Sequence, residues 1–568
     1  MIEPSTFDVI VVGTGLPESI LAASVAASGK TVLHLDAYEG YLSPWASLYF
    51  SQIGDFATAG GYLPKSSFAP EEELSFTAEE TEYHTLELKD ASDLYSNVKL
   101  ECTDESVLGR LNRYHLDLAG PKVVFCAGPL VDALIKAQAD HHVRFKAVEA
   151  SYIWREDQMK AVPASRADVF RDKTLGLSDK RFLMRFFKLV SEYTESEGGV
   201  IEALAPGDLD KPFVELLRRQ QLPTSIQEII LYAIALVDVD QEHTSDATNL
   251  ISTKDGLQTL ALYLASAVRF PDAPGAFLYP MYGHGDLPQA FCRCAAVRGA
   301  IYVLRMPITN LLVNKEDGEC KGVRIASGQI LHSEKVVVGP TFCVEHLTTS
   351  VSTPMTSSSS NVDAEEGPEF HTSDDSSKSF GGRVLSGDYR KVARCLCITD
   401  KSLQPGLSTV LIIFPPNSLA GRKSNVVRAL QLGASSDVCP DGKYIVQFSV
   451  NCSNATEAEE TLQAAKNALF SEGGSEVETM PDKPKLLWSI FYVQDISHPS
   501  RVTWQSNQEI KGLKSTVMPD GTIDYRGVMK STEMIYHQLC PETEFFPRPI
   551  TTSISDEGDG DADDTNEL

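Results

Sequence analysis

The sequence predicts an α/β fold that opens on a Rossmann-type βαβ unit and carries an inserted all-helical domain. Three observations lead to that class. Residues 7–36 read as strand, glycine turn, helix and strand. From about Leu177 to Phe270 the apolar residues recur at helical spacing. Strand-like runs then return after that block. The 568 residues allow two to four domains at roughly 100–200 residues each. The expected division is a large domain built from residues 1–165 and 271–547, with a helical domain over 166–270 between the two parts.

Each element has its own reason. Phe7-Asp-Val-Ile-Val-Val12 is a largely apolar strand. Gly13 to Glu18 reads as a tight turn, and Ser19 to Ser28, rich in Ala, Ile and Leu, as a helix ended by Gly29-Lys30. Thr31 to Leu35 is the second strand, closing on Asp36. Residues 66–110 are rich in Glu, Ser and Thr with weak periodicity and read as a partly ordered insertion. Leu130, Val131, Leu134 and Ile135 set a helix over about 128–139. In the helical block the expected helices are Phe182 to Tyr193, Phe213 to Arg219, Ile226 to Val237 and Gly256 to Val268, with Leu222-Pro223 as a break.

Beyond it, strands are expected at Ala300 to Leu304, Leu311 to Val313 and Lys335 to Val338, with a hairpin over Val323 to Ile330. Further strands are expected at Val392 to Thr399, Thr409 to Phe414 and Leu486 to Tyr492. Residues 348–380 are Ser/Thr/Asp-rich and read as a flexible loop. Residues 548–568 read as an acidic disordered tail.

Composition excludes several classes. Fifty Lys+Arg against 78 Asp+Glu leave a formal charge of −28, which opposes nucleic-acid binding and adsorption to anionic membranes. No apolar run approaches the roughly 18 residues that span a bilayer, and no signal segment precedes the first strand. The 11 cysteines form no C-x-x-C clusters, so no metal site is expected. Cys292/Cys294 and Cys395/Cys397 read as buried free thiols of a reducing, cytosolic compartment.

Two segments could carry chemistry. In the Gly13-x-Gly15 turn a helix N-terminus would point its amides at a pyrophosphate. The third small residue of that motif is replaced by Glu18, whose charge opposes a phosphate. Gly13, Gly15 and Glu18 therefore read as a vestigial nucleotide turn, with no cofactor expected. Asp36 stands where such folds place a ribose-binding acid, and it reads equally as a strand-end cap. The second segment, Phe277 to Arg293, packs aromatics, two Gly and two Pro into a turn followed by a helix expected from Pro288. It is either a turn capping a helix or an aromatic and charged surface that docks a protein. No nucleophile–base arrangement stands out, and no catalytic residue is assigned.

Four stretches together resemble the Rab escort protein / Rab GDP-dissociation inhibitor superfamily. They are Phe7 to Leu21, Val32 to Asp36, Tyr279-Pro-Met-Tyr282-Gly-His-Gly285-Asp-Leu-Pro-Gln-Ala-Phe-Cys-Arg293, and Pro484 to Trp488 with Leu539 to Pro547. Trp45 to Leu48, Pro163 to Phe170, Asp179 to Met184 and the length of the chain resemble the escort branch, in which 66–110 is an escort-type insertion.

The resemblance implies a large domain similar to flavoprotein monooxygenases in fold, but without catalysis. It implies an escort that binds newly made, GDP-bound Rab GTPases. The escort presents them to the Rab geranylgeranyltransferase α/β heterodimer, shields the attached geranylgeranyl lipid and delivers the Rab to membranes. The alternatives are a GDP-dissociation inhibitor and, from another class, a flavin-dependent oxidoreductase.

Carried over by alignment, the Rab-binding residues are Tyr41, Asp286, Gln289, Arg293, Ile301 and Val303. Tyr41 also reads as a rim aromatic and Asp286 as a helix N-cap. Phe186 and Leu189 are the expected transferase-binding residues, Phe186 having core packing as its other reading. The lipid site is expected among apolar residues of 182–190 and 226–237. Gly40-Tyr41-Leu42-Ser43 departs from the family's Tyr-Tyr-Gly-Gly, Asp286 is one methylene shorter than its Glu, and no Arg follows Tyr193 on the helix.

Overall fold

The computed structural model describes residues 1–62, 82–91, 94–102, 105–163, 176–196, 204–205, 207–242, 249–344, 389–421, 424–471, 483–497, 503–504 and 508–547. The expected loop at 348–380 and the tail at 548–568 lie outside them.

The βαβ unit is present. Strand Thr6–Val12 is followed by helix Leu16–Ala27 and strand Val32–Leu35, the strands pairing in parallel with Val9 opposite Val32. The helix begins three residues before the expected Ser19. Pro17 is tolerated in the first turn, where its missing N–H would have no partner. These strands sit in a nine-stranded sheet between the parallel neighbours Ile301–Val303 and Ile330–Val338. The carboxyl ends at Val12, Leu35, Val303 and Val338 line up, which opens a crevice where sheets of this type take ligands. Antiparallel strands Cys320–Ile325, Ile308–Asn314 and Tyr83–Asp90 continue the sheet.

An eight-stranded sheet forms the second layer, in the order Gln158–Ala161, Ala150–Arg155, Val410–Phe414, Val427–Gly433, Tyr444–Cys452, Lys391–Thr399, Leu486–Asp495 and Tyr95–Cys102. Its central strands are buried on both faces, which accounts for unbroken apolar runs such as Val410-Leu-Ile-Ile-Phe414. Strands Tyr83–Asp90 and Tyr95–Cys102 thus join one sheet each, where the composition suggested weak order.

The helical block comprises Leu177–Glu195, Phe213–Arg219, Thr224–Glu228, a π-helical turn Ile229–Ile234 and Thr253–Arg269. It is tied to the second sheet by a buried ion pair. Arg428 Nε lies 2.8 Å from Asp238 Oδ1, and the same guanidinium donates to the carbonyls of Tyr232 at 3.2 Å and Val237 at 3.1 Å. Burial lifts the Asp238 carboxyl to about 6 despite Arg428. Arg526, at the head of helix Arg526–Leu539, adds a second tie by donating to Thr259 Oγ1 at 2.7 Å.

Candidate functional site

A buried carboxylate, Asp117, explains the aromatic–glycine segment. It accepts from Ser47 Oγ (2.5 Å), Tyr279 OH (2.5 Å), the His284 amide (2.9 Å) and Gln447 Nε2 (3.0 Å). The His284 ring lies between Asp117 and Tyr525, with Nε2 3.2 Å from the carboxylate and Nδ1 2.6 Å from the Tyr525 hydroxyl. Burial lowers the pKa of this imidazole while the Asp117 charge opposes the fall. Nε2, although near the carboxylate, makes no hydrogen bond among the described residues. Both glycines are required. A Cβ on Gly283 (φ +100°) would lie 2.6 Å from Asp117 Oδ1, and one on Gly285 would lie 2.9 Å from the Ser47 amide. The knot fixes the start of helix Asp286–Val297, two residues before the expected Pro288, with Gly285 and not Asp286 as the N-cap.

Four of the expected partner-binding residues converge. Asp286, Gln289 and Arg293 fall at i, i+3 and i+7 on one helix face, with Arg293 exposed and the other two half-buried. Burial raises the Asp286 carboxyl, and the charge of Arg293 opposes the rise. Half-buried Tyr41 comes from the loop after Asp36. Its hydroxyl is pushed up to about 12 by burial and by Cys292, with Arg293 pulling the other way. Cys292 is itself 3.2 Å from Ser19 Oγ and accepts from Tyr302 OH at 2.5 Å.

Ile301 and Val303 do not join this group. On strand Ile301–Val303 they alternate with Tyr302 and pack on the opposite face, against the cluster containing Ile10, Val12 and Leu35. Tyr302 is the strand residue on the Tyr41 side. Neither it nor Cys292 is visible from alignment, although the period-2 rule applied to Ile301-Tyr-Val303 would have selected Tyr302.

The two transferase candidates lie in the apolar core. Phe186 is fully buried against Phe213, with ring centroids 6.5 Å apart, and Leu189 is buried in the same cluster. They lie on the inward face of helix Leu177–Glu195. One turn earlier, half-buried Phe182 stacks under exposed Arg185, whose guanidinium lies 5.5 Å from the ring.

The glycine turn does not fit a dinucleotide. The Glu18 side chain is buried over it, its Oε1 accepting from Thr516 Oγ1, and only about 20 Å³ of space remains in the cleft. Asp36 is occupied as a cap, accepting from Thr14 Oγ1 at 2.6 Å and from the Tyr38 amide at 2.8 Å. Among the described residues no group of His, Cys, Asp or Glu is arranged to hold a metal. Cys292, Cys294, Cys395 and Cys397 are free and buried, as expected.

The fold is that of the GDP-dissociation-inhibitor class. The GDP dissociation inhibitor family profile matches residues 80–353, and one described as RAE1/2 domain I, C-terminal region, matches 392–520. A crystal structure of a Rab GDI from Plasmodium falciparum shares the fold, with TM-score 0.60, 19% identity, and coverage of 95% of this chain and 99% of that one. The chain is 36% identical to Rab escort protein 1 of Arabidopsis thaliana over 98% of this chain and 97% of that one. It is 27% identical to human Rab proteins geranylgeranyltransferase component A 1 over 96% of this chain and 92% of that one. The chain belongs to the Rab escort protein family. Its large unit has the fold shared with that Rab GDI structure, and in chain order the helical block lies between the parts that form it.

Proposed function

We propose that this protein is a Rab escort protein that binds newly made, GDP-bound Rab GTPases and presents them to Rab geranylgeranyltransferase. The observation that carries the reading is the joining of a nearly full-length escort likeness to a Tyr41–Asp286–Gln289–Arg293 platform in which Arg293 is exposed and the other three are half-buried. An aromatic beside an opposed acid and base is the composition of a protein-docking hot spot. The protein itself acts as a non-catalytic accessory. The escort reading stands ahead of the recycling-inhibitor one because the escort relative matches 98% of this chain and a yeast Rab GDP-dissociation inhibitor matches 78%.

The lipid needs shelter once attached, because each exposed CH₂ costs about 0.8 kcal/mol in water. The helical block supplies apolar surface at Val190, Ile230, Leu231 and Ile234, closed on itself here. Its π-helical turn is the place where the seam opens, since such turns carry an extra residue and mark sites of adjustment. The transferase docks on the outer face of helix Leu177–Glu195 through Phe182 and Arg185. The cycle runs in the cytosol with transient membrane contact. Among the described residues no helix is long and apolar enough to cross a membrane.

The test is geranylgeranyl transfer to a GDP-loaded Rab by purified transferase, with and without this protein. Transfer is expected to require it. R293A is expected to weaken Rab binding by about tenfold or more, and F182A to weaken transferase binding while leaving Rab binding intact. Rab binding without any stimulation of transfer would move the protein to the recycling-inhibitor role.

A further inference from the structure

We propose that Glu18 is the chain's own occupant of a pyrophosphate seat, and that removing its side chain opens that seat to a pyrophosphate anion. The seat is made by Gly13-Thr-Gly15 and the N-terminus of the 12-residue helix Leu16–Ala27, which has no side-chain cap. The helix end alone would say little. The second observation is the carboxylate. Glu18 is 1% exposed, and its Oε2 has no hydrogen-bond partner although it is sealed from water. An unpartnered buried carboxylate oxygen is costly, so something must hold it there.

The geometry shows what holds it. A Cβ on Gly15 would overlap Glu18 Oε2, and a Cβ on Gly339, after strand Ile330–Val338, would lie 3.3 Å from Oε1. Thr516, just past the strand Leu513–Ser515, donates to Oε1. The side chain therefore touches the glycine turn, the end of one parallel strand and the segment leaving another. These are the segments that face the carboxyl-end crevice, where a bound phosphate would lie. The chain fills the position with its own carboxyl group, which links these segments to the helix through a hydrogen bond and close packing.

The ligand class follows from size and charge. A nucleoside is disfavoured because both Asp36 oxygens are engaged by Thr14 and Tyr38. Removing the side chain widens a cleft of about 20 Å³ beside a helix N-terminus whose N-cap residue is a glycine, and inorganic pyrophosphate is the probe. Full-length wild type, E18A, E18S and E18Q are melted over a pyrophosphate series at constant ionic strength, and pyrophosphate binding is read directly by phosphorus NMR line broadening. E18A and E18S are expected to melt below wild type, to gain stability with pyrophosphate and to broaden its signal. Wild type and the isosteric E18Q are expected to do neither. A folded E18A or E18S that ignores pyrophosphate overturns the proposal. So does an E18Q that binds it, because charge and not occupancy would then close the seat. Should both truncations fail to fold, E18Q alone decides on that second criterion.

Discussion

At the scale of single residues, two buried carboxylates carry opposite burdens. Asp117 is saturated with donors and organises Ser47, Tyr279, His284 and Gln447 into one knot beneath the platform helix. D117A leaves several buried donors unpartnered, at about 1–3 kcal/mol for each. It is expected to lower the unfolding midpoint sharply and to weaken Rab binding with it, although Asp117 is wholly buried. Thermal melts and Rab titrations of the same preparation check both. Glu18 is under-satisfied, and burial pushes its carboxyl up to about 7 from 4.5. The folded state therefore holds its proton more tightly than the unfolded chain. The stability so contributed is present below about 4.5 and is lost as pH rises to about 7. E18Q is expected to flatten that part of the stability–pH curve, measured by denaturant melts across pH 4–8. The sequence made Glu18 legible because a charge broke a glycine motif. Asp117 carried no such signal, since its partners lie 70, 162, 167 and 330 residues away.

At the scale of elements, legibility followed burial pattern. The first strand, the Arg324-side hairpin and the long helices were readable because one period ran through each. Tyr83–Asp90 was lost in a polar segment although Leu86 and Leu88 alternate with charged neighbours, the pattern of a strand buried on one face only. Strands Val427–Gly433 and Tyr444–Cys452 and helices Ala455–Leu469 and Arg526–Leu539 were not anticipated. The strands contain Arg428, Gln431 and Gln447, polar residues that are buried because specific partners meet them. Arg428 is the most consequential of these, because it holds the helical block to the second sheet. R428A leaves Asp238 buried without its cation, a loss of about 3–5 kcal/mol. Hydrogen exchange is expected to speed up first in 229–238, before the sheets respond. Uniform acceleration throughout the chain would contradict an anchoring role.

At the scale of the whole molecule, Tyr41 and Arg293 lie on the sheet side and Phe182 and Arg185 on the helical side, so the two proposed docking roles fall on separate elements. A seam that opens for lipid should be separable from the platform. Ala233, fully buried in the π-helical turn, tests this. A233F overfills the seam at a cost of about 1–3 kcal/mol. It is expected to reduce retention of geranylgeranylated Rab while leaving binding of unmodified Rab unchanged, read by paired titrations of the two forms. By itself the sequence determined the βαβ opening, the helical insertion, the family and the charge that breaks the glycine motif, because local period and short motifs encode them. Only the tertiary structure decided that Ile301 and Val303 face away from Tyr41, that Phe186 is core, and that Asp117 underlies the platform. Side-chain direction and partnership are set by which distant strand or helix packs opposite, and no local period records that neighbour.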